Sequence, residues 1–222
     1  MSITLTTKQE ILDYLLHQGQ ASAQELAQAL AVSPQAIRRH LKDLEEEQLI
    51  RYEVQANGVG RPHNHYSLTD IGRDRLRTLP NTTPGRNEFA LELLDTLTET
   101  LGQSQMEEIL HQQWKRKAAI YLQQLGEQPL MERLAGLVKL RQSEGYRAEF
   151  FPVDSDHQPP KKFVLTEYNC AIANVAKAFP SICDHELEMF AAALPDCQVT
   201  RTHWLVNGEH RCGYLIAWAG LG

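Results

Sequence analysis

Residues 22–47 read SAQELAQALAVSPQAIRRHLKDLEEE and contain the starts of two helices in close succession. Ser22 is followed three positions later by a glutamate, which is the pattern of a capping box at a helix N-terminus. Ser33 can cap the second helix, with Pro34 at its first position, where proline is tolerated. Apolar residues recur at helical spacing behind both starts. The stretch therefore predicts two helices joined by a tight turn, the second extending to about Glu47.

A further helix precedes this pair, and a hairpin follows it. The upstream helix begins with the capping-box pattern Thr7-Lys8-Gln9-Glu10 and stops at Gly19. Downstream, two short apolar segments at 50–54 and 65–68 flank turn-forming residues and predict a β-hairpin. A threonine then caps a helix that continues through Arg77. The order helix, helix, helix, hairpin, helix is typical of a winged helix-turn-helix.

The third predicted helix has one apolar and one basic face. Ile37, Leu41 and Leu44 share a side and must point inward, and a rotation of about 100° per residue puts a polar set on the opposite side. That set is Gln35, Arg38, Arg39 and Lys42. Arginine can bind guanine, glutamine can bind adenine and lysine can bind phosphate in the major groove. We therefore predict a recognition helix, with Arg61 and His63 of the wing suited to phosphate or minor-groove contact.

The overall charge does not decide whether the chain binds nucleic acid. The net charge of −6 argues weakly against it, but binding depends on a local basic face, and acidic and basic residues nearly balance over residues 1–80. No apolar run approaches the length of a bilayer span, and residues 1–7 lack the pattern of a signal peptide. We therefore expect a cytoplasmic protein without a membrane partner.

The second half of the chain has a different organisation. Two prolines and a glycine interrupt all periodicity between residues 79 and 87. Long helical patterns resume there, and strands mixed with helices follow from residue 146. The sequence predicts an α+β protein made of a winged helix-turn-helix (1–80), a linker (81–87), a helical dimerisation segment (88–145) and a mixed α/β domain with the cysteines (146–222).

All four cysteines, Cys170, Cys183, Cys197 and Cys212, follow residue 169. In a cytosolic chain such clustering indicates metal or redox chemistry before disulfides. Twelve, thirteen and fourteen residues separate them, so no two form the close pair typical of zinc fingers and ribbons. Thiols so placed must converge from separate elements, which suits an iron–sulfur cluster. A widely spaced zinc site stays open.

Two segments resemble known repressors. Gly60-Arg61-Pro62, followed by Tyr66-Ser67-Leu68-Thr69 and Gly72, resembles the wing of repressors in the DeoR and ArsR groups. The Cys-x12-Cys-x13-Cys-x14-Cys run behind an N-terminal winged helix resembles the SufR-type repressors of iron–sulfur cluster assembly operons, and this similarity covers essentially the whole chain. The resemblance implies a homodimer with one cluster per subunit, of the [4Fe–4S] type. Such a dimer binds operator DNA when loaded and releases it when the cluster is lost or oxidised.

The resemblance also assigns ligands. Cys170, Cys183 and Cys212 match the cysteines that recur most widely in the family, whereas Cys197 matches a position that some relatives lack. If Cys197 is not a ligand, the fourth iron site needs an oxygen or nitrogen donor. The candidates nearby in sequence are Asp184, His185, Asp196 and His203.

Two other functions compete with this interpretation. The same cysteines could sense zinc or thiol redox state on an otherwise identical DNA-binding protein. Alternatively, a cysteine activated by His185 or His203 could act as a catalytic nucleophile. Neither pairing sits in a recognised nucleophile motif, so we expect no enzyme and no small-molecule substrate.

Overall fold

The computed structural model describes residues 6–55, 63–77, 86–153 and 160–219. The chain divides into two compact units, Met1–Thr78 and Leu79–Gly222. The predicted linker begins shortly after this division, and residues 81–85 of it lie outside the described ranges. Both helices and sheets are present, so the protein is α+β.

The helices of the described residues are α1 (Thr7–Gln18), α2 (Ala23–Ala29), α3 (Pro34–Glu46), α4 (Asp70–Arg77), α5 (Arg86–Leu101), α6 (Gln103–Leu125), α7 (Leu130–Ser143), α8 (Ala173–Ala178) and α9 (Ile182–Ala193). The strands are β1 (Gln20–Ser22), β2 (Ile50–Gln55), β3 (His63–Leu68), β4 (Ala148–Pro152), β5 (Lys162–Glu167), β6 (Cys197–His203) and β7 (Cys212–Trp218), and a 3₁₀ turn covers Leu205–Asn207.

The helix-turn-helix begins as its sequence predicts. The backbone N–H of Glu25 donates to Ser22 Oγ at 3.3 Å, and the Ser22 N–H donates to the Glu25 carboxylate at 2.7 Å. Ser33 Oγ accepts from the Ala36 N–H at 3.3 Å, which caps α3. These bonds satisfy N–H groups that the first turn of a helix leaves without a partner.

The first unit differs from its prediction at two points. The cap of α1 is Thr6, one residue before the predicted box, and its reciprocal partner is Gln9. A short strand that was not predicted, β1, precedes α2 and pairs antiparallel with β3, so that the described residues form a sheet in the order β1-β3-β2. Apolar side chains of α1, α2, α3 and the sheet form the core beneath it. They are Ile11, Leu12, Leu15, Leu16, Ala21, Leu26, Ala27, Ile37, Leu41, Leu44, Leu49, Ile50 and Leu68.

The second unit is built on an antiparallel sheet in the order β4-β5-β7-β6. Helices α7 and α9 pack against strands β4 and β6 of this sheet, and α6 packs against both helices. The side chains of α6 that reach the core recur every three or four residues, as one face of a helix requires. They are Met106, Leu110, Trp114, Ala118, Tyr121 and Leu125. No helix within the described ranges combines the length and the apolar character needed to cross a bilayer.

Two element boundaries in this unit bear on the cysteines. The sequence pattern predicts a helix over His185–Ala193, whereas α9 begins at Ile182 and therefore includes Cys183. The sequence pattern also predicts a strand over Gln198–Val206, whereas β6 begins at Cys197 and ends at His203. As a result, two cysteines lie on paired strands and one lies in the first turn of a helix.

Candidate functional site

Helix α3 presents the basic face that its sequence predicts. The side chains of Ile37, Leu41 and Leu44 are at most 1% exposed. Their burial determines which face of α3 points to solvent. The predicted reading set lies on the opposite side and is exposed: Gln35, Arg38, Arg39 and Lys42. Lys42 has an intrahelical neighbour, Glu46, at 3.7 Å, and both side chains remain largely exposed. A surface pair of this kind contributes little and can exchange readily for a phosphate.

The wing is partly described. Strands β2 and β3 pair antiparallel from Ile50↔Leu68 to Gln55↔His63. The backbone of His63 therefore lies at the tip end of the hairpin. The predicted contact Arg61 and the side chain of His63 lie outside the described residues.

Three of the four cysteines face one region of the second unit. Cys170 follows β5, Cys183 lies in the first turn of α9 and Cys212 opens β7. A thiolate at Cys212 raises the pKa of Cys170, and one at Cys183 raises that of Cys212, so the three sulfurs are electrostatic neighbours. The β5–β7 register explains part of this proximity, because Cys212 pairs with Glu167, three residues before Cys170.

Backbone and indole N–H groups point toward these sulfurs. The Leu205 N–H donates to Cys212 Sγ at 3.5 Å, and a backbone hydrogen bond from Ile172 lowers the pKa of Cys170. The indole N–H of Trp204 is buried without a partner that meets hydrogen-bond geometry, and it lowers the pKa of Cys183. Hydrogen bonds to sulfur stabilise thiolates and tune iron–sulfur clusters. The donor set fits thiolate ligands.

The three clustered sulfurs do not form a compact triad. Two thiolates on one tetrahedral zinc ion, with Zn–S of about 2.3 Å, lie about 3.8 Å apart. Among the residues that the structure describes, no set of three ligand atoms that includes a cysteine sulfur lies within 4.8 Å. At least one of the three distances among the sulfurs of Cys170, Cys183 and Cys212 is therefore longer than 4.8 Å.

Cys197 does not join the other three. It pairs with Trp218 at the far end of β7, whereas Cys212 is the first residue of that strand. Six residue steps of β7 therefore separate the two positions, or about 20 Å at 3.3 Å per residue. The prediction that all four cysteines converge is wrong for Cys197, because antiparallel pairing places it at the opposite end of the sheet.

The neighbours of Cys197 are the ion pair formed by Asp196 and Arg133. Its Sγ lies 3.7 Å from Asp196 Oδ1, and burial, followed by the Asp196 charge, raises its pKa to about 12. Asp196 accepts two hydrogen bonds from Arg133 of α7, at 2.7 and 2.6 Å. This pair holds the pKa of Asp196 below its ordinary value.

None of the four thiols is activated as a nucleophile. Burial is the largest cause of the raised pKa at each cysteine, and it brings Cys212 to about 12. A reactive cysteine needs a lowered pKa and an electropositive neighbour. The environment of these thiols therefore opposes the cysteine-enzyme alternative.

Comparisons with known proteins support the interpretation of the first unit. Residues 5–51 match the family described as winged helix-turn-helix DNA-binding. The first unit is a winged helix-turn-helix. A stretch of 63 residues is 41% identical to the probable C4-dicarboxylate response regulator DctR of Bacillus subtilis, and it covers 28% of each protein. The chain thus spans under a third of that relative's length.

Solved structures give looser similarities. The DNA complex of Lactococcus lactis ZitR is 24% identical, with 46% of this chain and 78% of that chain covered and a TM-score of 0.24. Bacillus subtilis PadR with operator DNA is 17% identical, with 87% and 99% covered and a TM-score of 0.32. At these TM-scores the superpositions carry no argument about this chain.

Beside the three clustered cysteines lies a buried ionic network that the sequence interpretation missed. Arg141 of α7 is fully buried and donates to Glu167 at 2.6 Å and to Glu186. Tyr214 donates to the other oxygen of Glu186 at 2.8 Å. Both carboxylates raise the pKa of Cys170 and Cys212. The burial of Arg141 could have been inferred from the sequence, because Arg141 continues the helical spacing of the buried Leu134 and Leu137 on α7.

The four non-cysteine ligand candidates lie in different parts of the second unit. Asp184 is 67% exposed and pairs with Arg201 at 3.0 Å. Asp196 lies beside Cys197, away from the other thiols. His203 pairs across the sheet with Gly213, next to Cys212, and its Nδ1 lies 3.1 Å from Thr202 Oγ1. The fourth candidate, His185, faces α6.

Proposed function

We propose that the chain is a homodimeric transcription repressor that binds operator DNA through its winged helix-turn-helix and carries an iron–sulfur cluster in its second unit. The operator belongs to an iron–sulfur cluster assembly (suf) operon, as the resemblance to SufR-type repressors implies. Each subunit holds one cluster, of the [4Fe–4S] type. The loaded form binds DNA, and loss or oxidation of the cluster releases it.

The observation that carries the cluster assignment is the grouping of Cys170, Cys183 and Cys212. They come from a loop, a helix and a strand, and N–H donors accompany their sulfurs. Cysteines that come from three separate elements suit an iron–sulfur cluster, whereas zinc fingers and ribbons usually take their ligands in close pairs. A cluster bound by all three cysteines holds the loop, the helix and the strand in fixed relative positions. Cluster binding therefore stabilises the folded second unit.

Exposed apolar side chains support the proposed dimer. Helices α5 and α6, within the predicted dimerisation segment, leave several large apolar residues at the surface, and a second copy would cover them. They are Phe89, Leu93, Leu101, Ile109, Ile120 and Leu122. In a dimer, the distance between the two recognition helices must match the spacing of the DNA half-sites. Loss of the cluster can weaken operator binding by changing this distance.

Anaerobic purification tests the proposal. The protein should be brown, contain iron and acid-labile sulfide, and bind a duplex from the promoter of the cluster assembly operon better than a scrambled duplex. Brief exposure to air should bleach the colour and weaken operator binding together. A colourless protein with stoichiometric zinc would support the zinc alternative, and equal DNA affinity before and after bleaching would refute cluster control.

Single cysteine variants make the test specific. Cys170→Ser, Cys183→Ser and Cys212→Ser should each lose most of the iron and the cluster-dependent increase in operator affinity. Cys197→Ser is the matched control and should keep both, because its side chain lies at the other end of β7. Iron loss in Cys197→Ser equal to that of the other three would contradict the assignment.

A further inference from the structure

A second group of metal-ligating side chains lies between α6 and α9. His111 of α6 faces His185 and Glu188, which are one turn apart on α9. The two imidazole rings stack with centroids 5.0 Å apart and planes inclined by 21°. One ligand atom from each of the three residues lies within 4.8 Å of the other two. Neither the cluster nor the DNA contacts of the proposed function use this group.

The distances match those of a single ion. Two nitrogen or oxygen ligands about 2.1 Å from a tetrahedral zinc ion lie about 3.4 Å apart. Glu188 Oε2 is 3.4 Å from His111 Nε2 and 3.6 Å from His185 Nδ1. The Glu188 carboxylate oxygen therefore already lies at a ligand–ligand distance from both imidazoles.

The hydrogen bonding of His185 points to a missing ligand. Both of its ring nitrogens are buried, and neither has a hydrogen-bond partner. A neutral imidazole has one ring nitrogen with a free lone pair, and a buried lone pair without a partner is unfavourable. Glu188 is too distant from Nδ1 for a good hydrogen bond. An ion coordinated by one ring nitrogen would satisfy that nitrogen.

We propose that His111, His185 and Glu188 form a binding site for a divalent transition-metal ion of the zinc type. A donor set of two imidazoles and one carboxylate favours such ions over magnesium and calcium, which take oxygen ligands. Glu188 is 63% exposed, so the ion reaches the site from solvent and keeps water at its remaining position. The site crosslinks α6, in the predicted dimerisation segment, to α9, the helix that carries Cys183.

Cobalt(II) titration of the tag-free, metal-depleted full chain tests this site, because its spectrum reports the ligand type. We expect one Co²⁺ per chain in this site, with weak visible d–d absorption and without the intense thiolate-to-cobalt charge-transfer absorption of a cysteine site. His111→Gln, His185→Gln and Glu188→Gln should each weaken binding at least tenfold. Zn²⁺ should displace the cobalt and raise the Tm of the wild type but not that of the variants.

Two control variants separate this site from the others. Cys183→Ser and His203→Gln should retain the thiolate-free cobalt spectrum. Circular dichroism without metal should show that His111→Gln, at a partly exposed position, folds like the wild type. Cobalt binding that disappears in Cys183→Ser and persists in His111→Gln, or an absence of thiolate-free binding in the wild type, would overturn the proposal. Neither result would bear on whether an iron–sulfur cluster is present.

Discussion

The guanidinium of Arg141 donates to both carboxylate oxygens of Glu167, with Nε 2.6 Å from Oε1 and Nη2 3.3 Å from Oε2. Both side chains are almost completely removed from solvent, and the same guanidinium also donates to Glu186. Glu186 follows Cys183 by three residues on α9, and Glu167 pairs with Cys212 across the sheet. One arginine of α7 therefore joins α9, which carries Cys183, to β5, which pairs with the strand that carries Cys212.

Removing this arginine should destabilise the second unit strongly. Arg141→Met leaves two buried carboxylates without their cation, and breaking a buried pair costs about 3–5 kcal/mol. The chain's three tryptophans, Trp114, Trp204 and Trp218, all lie in this unit, so urea unfolding followed by tryptophan fluorescence reports its stability. The exposed Arg116→Met is the control and should change the free energy of unfolding by under about 0.5 kcal/mol. Equal effects of the two substitutions would contradict the structural role of Arg141.

The Arg133–Asp196 pair should make the stability of the second unit depend on acid. Because Arg133 lowers the pKa of Asp196 below its ordinary value of 3.8 in the folded state, the ionised carboxylate favours folding. This contribution is present above the ordinary pKa and disappears as pH falls through the lower folded-state pKa. Asp196→Asn should therefore lower the free energy of unfolding at pH 7 and reduce its decline below pH 4, as measured by tryptophan fluorescence. A decline as steep as that of the wild type would exclude this contribution.

The exposed arginines of α3 should determine DNA affinity without affecting folding. Arg38→Ala and Arg39→Ala should each weaken operator binding by about 1–3 kcal/mol if the side chain contacts a base. A phosphate contact would instead weaken binding to all duplexes and reduce the slope of log affinity against log salt by about one. Fluorescence anisotropy at several salt concentrations distinguishes the two. Lys139→Ala, exposed on α7, should change neither quantity, and wild-type affinity in both arginine variants would rule out α3 as the reading helix.

Gly72 should tolerate no side chain. A Cβ at this position of α4 would lie 2.0 Å from the Leu49 carbonyl oxygen, which is backbone and cannot move aside cheaply. Gly72→Ala should therefore destabilise the first unit by about 1–3 kcal/mol or more. The neighbouring Ile71→Ala, at a position 53% exposed, should have a much smaller effect. Circular dichroism melting and operator binding measure both, and equal melting of the two variants would refute the predicted clash.

The local part of the fold was predictable because its signals are local. The glutamate three residues after Ser22 and the proline after Ser33 specify helix starts within a few residues of sequence, and both caps form as predicted. Strand β1 was not predictable in this way. It has only three residues, Gln20–Ser22, and it exists because β3 pairs with it from more than forty residues away.

The cysteine site was only partly predictable for the same reason. Regular spacing in sequence carries no information about which end of a strand a residue occupies. Cys197 and Cys212 begin β6 and β7, and antiparallel pairing sends the two starts to opposite ends of the sheet. The partners of Arg141 could not be predicted from its own segment, because they come from β5 and α9. Glu188 and His111 are 77 residues apart in sequence, so their meeting depends on helix packing alone.

Ser22 belongs to two structures at once, since it pairs with His65 in the wing sheet and caps α2. A hinge between the wing and the helix pair would have to break this residue's backbone pairing or its cap. Ser22 thus couples the wing sheet to α2 within the first unit. In the proposed dimer, we expect adjustment to different operators to come from side-chain rotamers and from the distance between the two copies, not from bending within either one.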